Sequence, residues 1–322
     1  MAFGYQVLGF GSAPAATGPS VTLQGDIAVW FGGYTSGYTN VMEWFKISSS
    51  GNATDFGDCH TNITSQGACS NGPRGCSGGG MDGVSYLEVI EYITFASLAD
   101  SQDFGDLSVD REAVEALSNG TRGCWAGGNN DPYGSMQNTI DFVVIASTGD
   151  ATDFGNLTVA RQRIGGCCDG TTGIWMGGMV QGATYTTTID YITVASAADA
   201  SDFGDITGSA RGYGSSCSDL TKGLLMGGTT GIGGYASGAV DIIDYVNIAS
   251  TGNASDFGNL TQDKQSGSAV SDNTKGVFGG GYTSSAANTD EIETVVIAST
   301  GNAVDFGDLT IAKRTTTATS GD

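Results

Sequence analysis

The tripeptide Asp-Phe-Gly recurs six times in this chain of 322 residues, and it constrains the fold more than any other feature. Its aspartates are Asp55, Asp103, Asp153, Asp202, Asp256 and Asp305. Successive copies are 48 to 54 residues apart. Each copy has two further markers: a Gly-Gly pair that ends an apolar segment, and an acidic residue that is usually followed by an aromatic one. Markers in a constant order at a nearly constant spacing define an internal repeat.

Each repeat has the pattern of several short β-strands. Residues 189–194 form a β-branched and aromatic run, and Ile174-Trp175-Met176 before Gly177 is a second run. No stretch keeps a period of 3.6 residues between helix caps, so we expect almost no helix. A unit of about fifty residues with roughly four strands has the size of one blade of a β-propeller.

The two ends of the chain complement each other. Residues 309–322 match the start of a unit but stop where the Gly-Gly strand should follow, and residues 26–33 match that absent strand. A strand shared between the two ends removes the open edge of a ring of sheets. The sequence therefore predicts an all-β fold. We expect a six-bladed β-propeller over residues 25–322, closed by pairing of the C-terminal and N-terminal strands, with residues 1–24 as an N-terminal arm.

The order of the markers resembles the kelch repeat, with the Phe of Asp-Phe-Gly in the place of the kelch Trp. A basic residue follows in five units, at Arg111, Arg161, Arg211, Lys264 and Lys313. The first full unit has Thr61-Asn62-Ile63 at this point. The repeat is similar to that of kelch-like repeat β-propeller proteins of tailed bacteriophages, of the aquatic or cyanophage type. The resemblance covers about residues 26–322, and it implies a viral structural protein of a tail fibre, tail or capsid decoration.

The repeated positions also have a structural interpretation. The six Phe side chains are expected to pack between adjacent blades. Each Asp before a Phe lies among Gly, Asn, Ser and Thr, so we expect it in a turn where its carboxylate accepts backbone N–H groups. A ring of six cation sites is the alternative, and it would need several oxygen ligands for each ion.

The charge of the chain limits its partners. It has 34 acidic and 12 basic residues, for a formal charge of −22. The electrostatic field of so negative a chain excludes binding of nucleic acid or anionic membranes through overall charge. No apolar run is long enough for membrane insertion. The first residues lack the basic and apolar regions of a leader peptide, so we expect synthesis in a host cytoplasm.

The repeat register explains most of the cysteines. They are Cys59, Cys69, Cys76, Cys124, Cys167, Cys168 and Cys217. Six of the seven stand where other units have a small apolar residue, as buried free thiols do, and the odd number favours reduced thiols. A zinc site at Cys59, His60, Cys69 and Cys76 would have irregular spacing. We therefore expect no metal site and no cofactor.

Residues for enzymatic chemistry are few. His60 is the single histidine, which argues against a Ser-His-Asp triad or a His-rich metal centre. Paired carboxylates for glycoside hydrolysis stay open among the 34 acids. We expect a non-enzymatic protein without catalytic residues, and a glycosidase-type propeller is an alternative hypothesis.

The loops after the Gly-Gly pairs differ in length, and each carries tyrosine among Gly, Ser, Thr and Asn. These tyrosines are Tyr34, Tyr38, Tyr86, Tyr133, Tyr185, Tyr235 and Tyr282. This composition is typical of antibody binding loops, and aromatic faces suit sugars. We expect the loops to bind a ligand such as a host-surface glycan. The alternative is that the tyrosines shield the edges of the blades.

The N-terminal arm lies outside the repeats. Its apolar residues are Phe3, Tyr5, Val7, Leu8 and Phe10, and a stretch of Gly, Ala, Ser and Pro follows as a tether. We expect the arm to attach a virion surface protein to other virion proteins, and packing on its own propeller is the alternative. A second hypothesis is a bacterial surface or filament-forming propeller that binds glycans. A homo-oligomer is compatible with either.

Overall fold

The computed structural model describes residues 24–131, 135–231 and 238–322, and within them every regular element is a β-strand. The all-β prediction is confirmed. The strands are β1 (Ile27–Phe31), β2 (Gly33–Tyr34), β3 (Tyr38–Thr39), β4 (Val41–Lys46), β5 (Thr54–Asp58), β6 (Gly67–Ser70), β7 (Arg74–Gly78), β8 (Val89–Thr94), β9 (Gln102–Asp106), β10 (Glu115–Ser118), β11 (Arg122–Ala126), β12 (Thr139–Val144), β13 (Thr152–Asn156), β14 (Arg161–Gln162), β15 (Gly165–Cys168), β16 (Thr172–Met176), β17 (Met179–Val180), β18 (Thr184–Tyr185), β19 (Thr188–Thr193), β20 (Ser201–Asp205), β21 (Ser215–Ser218), β22 (Lys222–Met226), β23 (Val240–Asn247), β24 (Ser255–Gln265), β25 (Ser268–Ser271), β26 (Lys275–Gly279), β27 (Tyr282–Thr283), β28 (Glu291–Val296), β29 (Val304–Asp308) and β30 (Thr317–Gly321). In these ranges no helix is long and apolar enough to cross a lipid bilayer.

Six antiparallel sheets carry the fold. In strand order they are sheet 1 (β30-β1-β4-β5), sheet 2 (β6-β7-β8-β9), sheet 3 (β10-β11-β12-β13), sheet 4 (β15-β16-β19-β20), sheet 5 (β21-β22-β23-β24, extended by β27) and sheet 6 (β25-β26-β28-β29). Sheet 1 combines both ends of the chain, because β30 pairs with β1 from Ile27 opposite Gly321 to Phe31 opposite Thr317. This strand pairing was predicted from the sequence.

The first strands of the six sheets lie side by side. Contacts join β6 to β10, β10 to β15, β15 to β21, β21 to β25, β25 to β30 and β30 to β6. The residue two positions before each first strand has a positive φ, between 51° and 61°. Its N–H donates to the carbonyl of the equivalent residue in the preceding sheet. The six bonds, of 2.6 to 3.0 Å, run from Ser65 to Thr315, Thr315 to Ser266, Ser266 to Tyr213, Tyr213 to Arg163, Arg163 to Ala113, and Ala113 to Ser65. We call these six residues the backbone circuit.

A second set of bonds joins the far ends of the first strands. At the end of five first strands a serine donates its hydroxyl to the equivalent carbonyl of the preceding sheet. It is the last residue of four strands and the last but one of β30. The bonds run from Ser70 to Ser320, Ser118 to Ser70, Ser218 to Cys168, Ser271 to Ser218 and Ser320 to Ser271. These bonds are 2.5 to 2.8 Å long. Cys168 has the sixth place, and its sulfur accepts the N–H of Gly170 instead. We call this set the hydroxyl series.

The Asp-Phe-Gly repeat forms a β-bulge in the fourth strand of every sheet. In sheet 1, Met42 faces Gly57 and Glu43 faces Asp55, so Phe56 is the extra residue. The bulge turns the Phe ring inward, and all six are buried, as at Phe306, whose ring lies 5.2 Å from that of Phe45 in the next sheet. The packing of these rings between sheets was predicted.

The Gly of the motif is required by close approach of the next sheet. At Gly105, with φ of 146°, a Cβ would lie 2.5 Å from the carbonyl carbon of Gly149. The other five glycines of the motif meet an equivalent loop. The prediction for the Asp was wrong. All six lie exposed in strands rather than in turns, because the bulge needs extended residues on both sides.

The predicted turn bonds are made by another residue. An Asp or Asn in each loop between third and fourth strands accepts an N–H from the preceding sheet, and these acceptors are Asn52, Asp100, Asp150, Asp199, Asn253 and Asn302. The donor is the residue after the Gly of the motif, as in Asp58 N–H to Asp100 at 3.0 Å. The near-identical loops of the repeat therefore join neighbouring sheets.

Candidate functional site

The Gly-Gly pairs lie at one end of the sheets, beside the backbone circuit. Both glycines of each pair have a positive φ, from 50° to 116°. A Cβ on the first would strike a backbone carbonyl, as at Gly127, where Arg161 O would be 2.4 Å away. The second donates its N–H to that same carbonyl, as in Gly128 to Arg161 at 3.0 Å. This carbonyl belongs to the residue at the basic position of the repeat.

The basic side chain then crosses to the next sheet and meets the buried acid of its third strand. The pairs are Arg111–Asp141 at 2.9 Å, Arg161–Asp190 at 3.0 Å, Arg211–Asp244 at 2.8 Å, Lys313–Glu43 at 2.5 Å, and Lys264–Glu293. All ten side chains are fully buried. Burial lowers the pKa of Arg111, and the charge of Asp141 opposes that shift. At these five junctions the basic residue and the third-strand acid therefore form a buried inter-sheet ion pair, not an exposed ligand site.

The junction between sheets 1 and 2 lacks its cation. Ile63 holds the basic position, and the acid of sheet 2, Glu91, is only 4% exposed. Glu91 accepts the Ser101 hydroxyl at 2.7 Å and the His60 N–H at 3.2 Å. At four of the other junctions a Ser or Thr at the place of His60 donates its hydroxyl to the acid, as Thr158 does to Asp190. At the junction of sheets 5 and 6 the acid Glu293 accepts the N–H of Thr261 instead. Ser101, where other units have Ala, supplies that hydroxyl here. Burial raises the pKa of Glu91.

Three of the predicted tyrosines come together where sheets 6 and 1 meet. Arg314 lies between two of them, with its Cζ 4.5 Å from the centre of the Tyr34 ring and 4.6 Å from that of Tyr282. Tyr38 meets Tyr34 edge-on, with ring centres 5.5 Å apart. Arg314 donates to the Asn288 side chain at 2.8 Å, and Asn288 donates to the Tyr34 carbonyl at 3.0 Å. We call Tyr34, Tyr38, Tyr282 and Arg314 the tyrosine cluster.

The other predicted tyrosines are not part of this cluster. Tyr185 donates its hydroxyl to the Gly231 carbonyl of the next sheet at 3.1 Å, and burial raises its pKa to about 12. Tyr86 is half-buried in its own loop, and burial raises its pKa as well. Tyr133 and Tyr235 lie outside the described residues. The arm residues Phe3, Tyr5, Val7, Leu8 and Phe10 do too.

Two small cavities are lined by residues in or next to the first strands of the sheets. One, of about 60 Å³, is bordered by the backbone circuit. The other, of about 80 Å³, is bordered by the residues of the hydroxyl series. Glu115 lines both cavities, and it occupies the space that Gly166 leaves open, since a Cβ there would be 2.9 Å from Glu115 Cγ. Burial raises the pKa of Glu115 well above its ordinary value. None of the repeat markers singles out this carboxylate in the sequence.

Gln24, the first described residue, is held at the end with the hydroxyl series. Its amide nitrogen donates to the Ser218 hydroxyl at 3.0 Å. Its amide oxygen lies 2.8 Å from the Ser271 hydroxyl, whose one hydrogen it shares with the Ser218 carbonyl. Asn273 donates to its carbonyl at 3.3 Å. The tyrosine-bearing loops begin at the other end, because the second strand is antiparallel to the first and leads into Gly-Gly beside the backbone circuit. The arm anchor and the tyrosine loops are therefore at opposite ends of the first strands.

All seven cysteines are buried and free, including the six that the repeat register placed at apolar positions. Burial raises the pKa of Cys76, Cys168 and Cys217 to about 12. His60, which the zinc hypothesis would need beside Cys59, is exposed while Cys59 is buried. Within the described ranges no group of three or more His, Cys, Asp or Glu residues is arranged to hold a metal ion.

Two features at the tyrosine end were missed from the sequence. Arg314 follows the basic position and looks like a second surface charge, yet its guanidinium joins two loops from different sheets. Tyr213 belongs to the backbone circuit, and Arg163 Cζ lies 4.4 Å from the centre of its ring. The place of Tyr213 two residues after the basic position is visible when the units are aligned, but no local pattern indicates the contact of Arg314 with Tyr34. No protein-family model matches the chain, and no curated protein matches its sequence.

Proposed function

We propose that the chain is a six-bladed, kelch-like β-propeller that serves as a non-enzymatic surface protein of a tailed phage. The six sheets would be its blades, closed by the β30–β1 pairing. The backbone circuit supports this, since its six bonds lead from each sheet to the preceding one and return to the start. The fourth strands and their loops support it too, because sheet 6 bonds to the loop of sheet 1 as every sheet does to its neighbour.

The observation that carries the functional proposal is the opposition of Gln24 and the tyrosine loops. A module held through residues 1–24 at one end would present Tyr34, Tyr38 and Tyr282 at the other. Half-buried tyrosines beside a guanidinium offer rigid contact area for a glycan. Assignment to a phage virion rests on the resemblance of the repeat.

The virion assignment is tested by mass spectrometry of purified aquatic phage particles. Presence of the chain in stoichiometric amounts supports it, and a detectable export route in a bacterium would favour the bacterial surface hypothesis. Deleting residues 1–23 while keeping Gln24 should abolish attachment to those particles and leave the sheets folded. Retained attachment would refute the role of the arm.

The binding face is tested on a glycan array. Tyr282→Ala removes one wall of the tyrosine cluster and should reduce binding of any glycan the chain recognises by roughly tenfold. Tyr86→Ala, in a loop outside the cluster, is the matched control. Equal losses in the two variants would argue against the cluster, and turnover of any glycan by the chain would favour the glycosidase alternative.

A further inference from the structure

Sheet 6 lacks an aromatic side chain that the other five sheets have. The residue after the buried acid of the third strand is Trp44, Tyr92, Phe142, Tyr191 or Tyr245 in sheets 1 to 5. In sheet 6 it is Thr294, which faces Val277 and Val304 on the neighbouring strands. Tyr92 faces Cys76 and Gln102 in the same register. The position is therefore equivalent and only the ring is absent.

The groups that surround this ring elsewhere are still present in sheet 6. In sheet 2 the ring of Tyr92 meets that of Phe104 at 6.1 Å and lies 4.3 Å below the guanidinium of Arg74. Lys275 and Phe306 hold the equivalent places in sheet 6, with 6.0 Å between the ammonium and the ring centre. The Lys275 side chain is also held by the neighbouring sheet, because its ammonium donates to the Ile47 carbonyl of sheet 1 at 3.1 Å.

A surface cavity of about 260 Å³ lies at this place. Lys275, Thr294, Val296, Val304 and residues 299–302 line it. Val304 is 59% exposed and Val296 53%, among the most exposed large apolar residues described. At the position of Val304 the other sheets have polar residues, namely Thr54, Gln102, Thr152, Ser201 and Ser255. We call this cavity the Thr294 pocket. Its chemistry, apolar walls with one cation at the edge, suits an aromatic ring.

The arm of the same chain begins close to this pocket. Gln24 is bonded to Ser271 and Asn273, and Asn273 is two residues from Lys275. Residues 1–23 carry three aromatic side chains, Phe3, Tyr5 and Phe10, and no charged residue. We propose that the Thr294 pocket is a docking site for an aromatic side chain of the chain's own N-terminal arm, and that Phe10 supplies it.

The reach of the arm fits this assignment. Strands of a sheet are about 4.8 Å apart, so the pocket between the second and fourth strands of sheet 6 lies about 10–15 Å from Ser271 on the first. Phe10 precedes Gln24 by 14 residues. Fully extended, a segment of this length reaches about 46–50 Å, so the arm can cover the gap without being stretched. Phe10 closes a shorter loop than Phe3 or Tyr5 and so loses less chain entropy.

The inference concerns the isolated chain and does not rest on the proposed function. Methyl NMR of the full-length protein tests it, because a docked ring shifts the resonances of nearby methyl groups. Phe10→Ala should move the Val296 and Val304 signals. Val144, which has the place of Val296 in sheet 3 and is 44% exposed, is the internal control and should not move.

Filling the pocket gives a second readout. Thr294→Tyr restores the residue of sheets 2, 4 and 5 and should displace the arm, so that chymotrypsin cleaves after Phe10 roughly tenfold faster. Thr193→Tyr adds a ring to an exposed strand end in sheet 4 and should leave the rate unchanged.

Three results would overturn the proposal. The first is a Phe10→Ala variant with unchanged Val296 and Val304 signals. The second is a shift that appears with Phe3→Ala or Tyr5→Ala instead, which refutes the assignment to Phe10. The third is a shift that vanishes on dilution, which would mean that the ring comes from a second copy. A concentration-independent shift in Phe10→Ala supports it.

Discussion

Replacing Ile63 by lysine should give the junction of sheets 1 and 2 the cation that it lacks. The lysine would follow an existing pattern, because Ile63 Cγ1 approaches Gly80 as Lys313 Cδ approaches Gly33. The aliphatic part of a lysine can keep most of the apolar contacts of Ile63. Its ammonium would then lie near Glu91, as that of Lys313 lies near Glu43.

The size of the stability change follows from the protonation of Glu91. Burial raises its pKa, so the folded wild type holds this proton more tightly than the unfolded chain does. Its contribution to stability is therefore present below the unfolded pKa and is lost as the pH rises through the folded pKa. An adjacent cation typically lowers a carboxyl pKa by about 1–3 units. At about 1.4 kcal/mol per unit, Ile63→Lys should gain about 1.4–4 kcal/mol at neutral pH relative to acid pH.

Urea unfolding at about pH 4 and about pH 7.5 measures this difference. The buried Trp30, Trp125 and Trp175 are suitable fluorescence probes. Ile63→Met is the matched control, because it has a similar length without the charge and should keep the wild-type pH dependence. The reasoning is refuted if Ile63→Lys and Ile63→Met show the same difference in unfolding free energy between the two pH values.

Three further perturbations test the packing of the sheets. Cys168→Ser should complete the hydroxyl series by donating to the Ser118 carbonyl, and should raise the unfolding free energy by about 0.5–1.5 kcal/mol in thermal denaturation; a loss of stability would contradict it. Gly105→Ala should cost about 1–3 kcal/mol more than Gly149→Ala in urea unfolding, because both have a similar φ but only Gly105 is crowded by a neighbouring backbone. The seven buried cysteines should react with a thiol reagent only after denaturation, since burial raises their pKa values; reaction in the native chain at neutral pH would show that the thiols are accessible.

Much of the fold could be predicted because single residues at fixed positions of the repeat mark the structural features of every sheet. Gly-Gly, the basic position and the buried acid each mark one place in every unit, so aligning six copies shows which positions are structural. The match between residues 309–322 and 26–33 likewise predicted the pairing of β30 with β1. The substitution of Ile63 at the basic position was visible in the same alignment.

The rest depends on geometry that a local pattern does not carry. A polar neighbourhood indicated a turn for the Asp of Asp-Phe-Gly, but one extra residue in the fourth strand changes its conformation from turn to bulge. Four of the ion pairs join residues about 30 positions apart in different sheets, as in Arg111 and Asp141, and the fifth joins Lys313 to Glu43 across the two ends of the chain. The tyrosine cluster depends on Arg314 and Tyr34, which are close only because both ends of the chain meet.

The pairing of β1 with β30 has a consequence during translation. One edge of β1 is covered by β4, but its other edge needs residues that lie 290 positions or so further along the chain, such as Gly321 opposite Ile27. A ribosome that adds about 5–20 residues per second needs about 15–60 s to cover that distance. For that time one edge of β1 in the nascent polypeptide has unpaired backbone N–H and C=O groups. Residues 27–31 are therefore the place where a chaperone would bind or where nascent chains would associate prematurely.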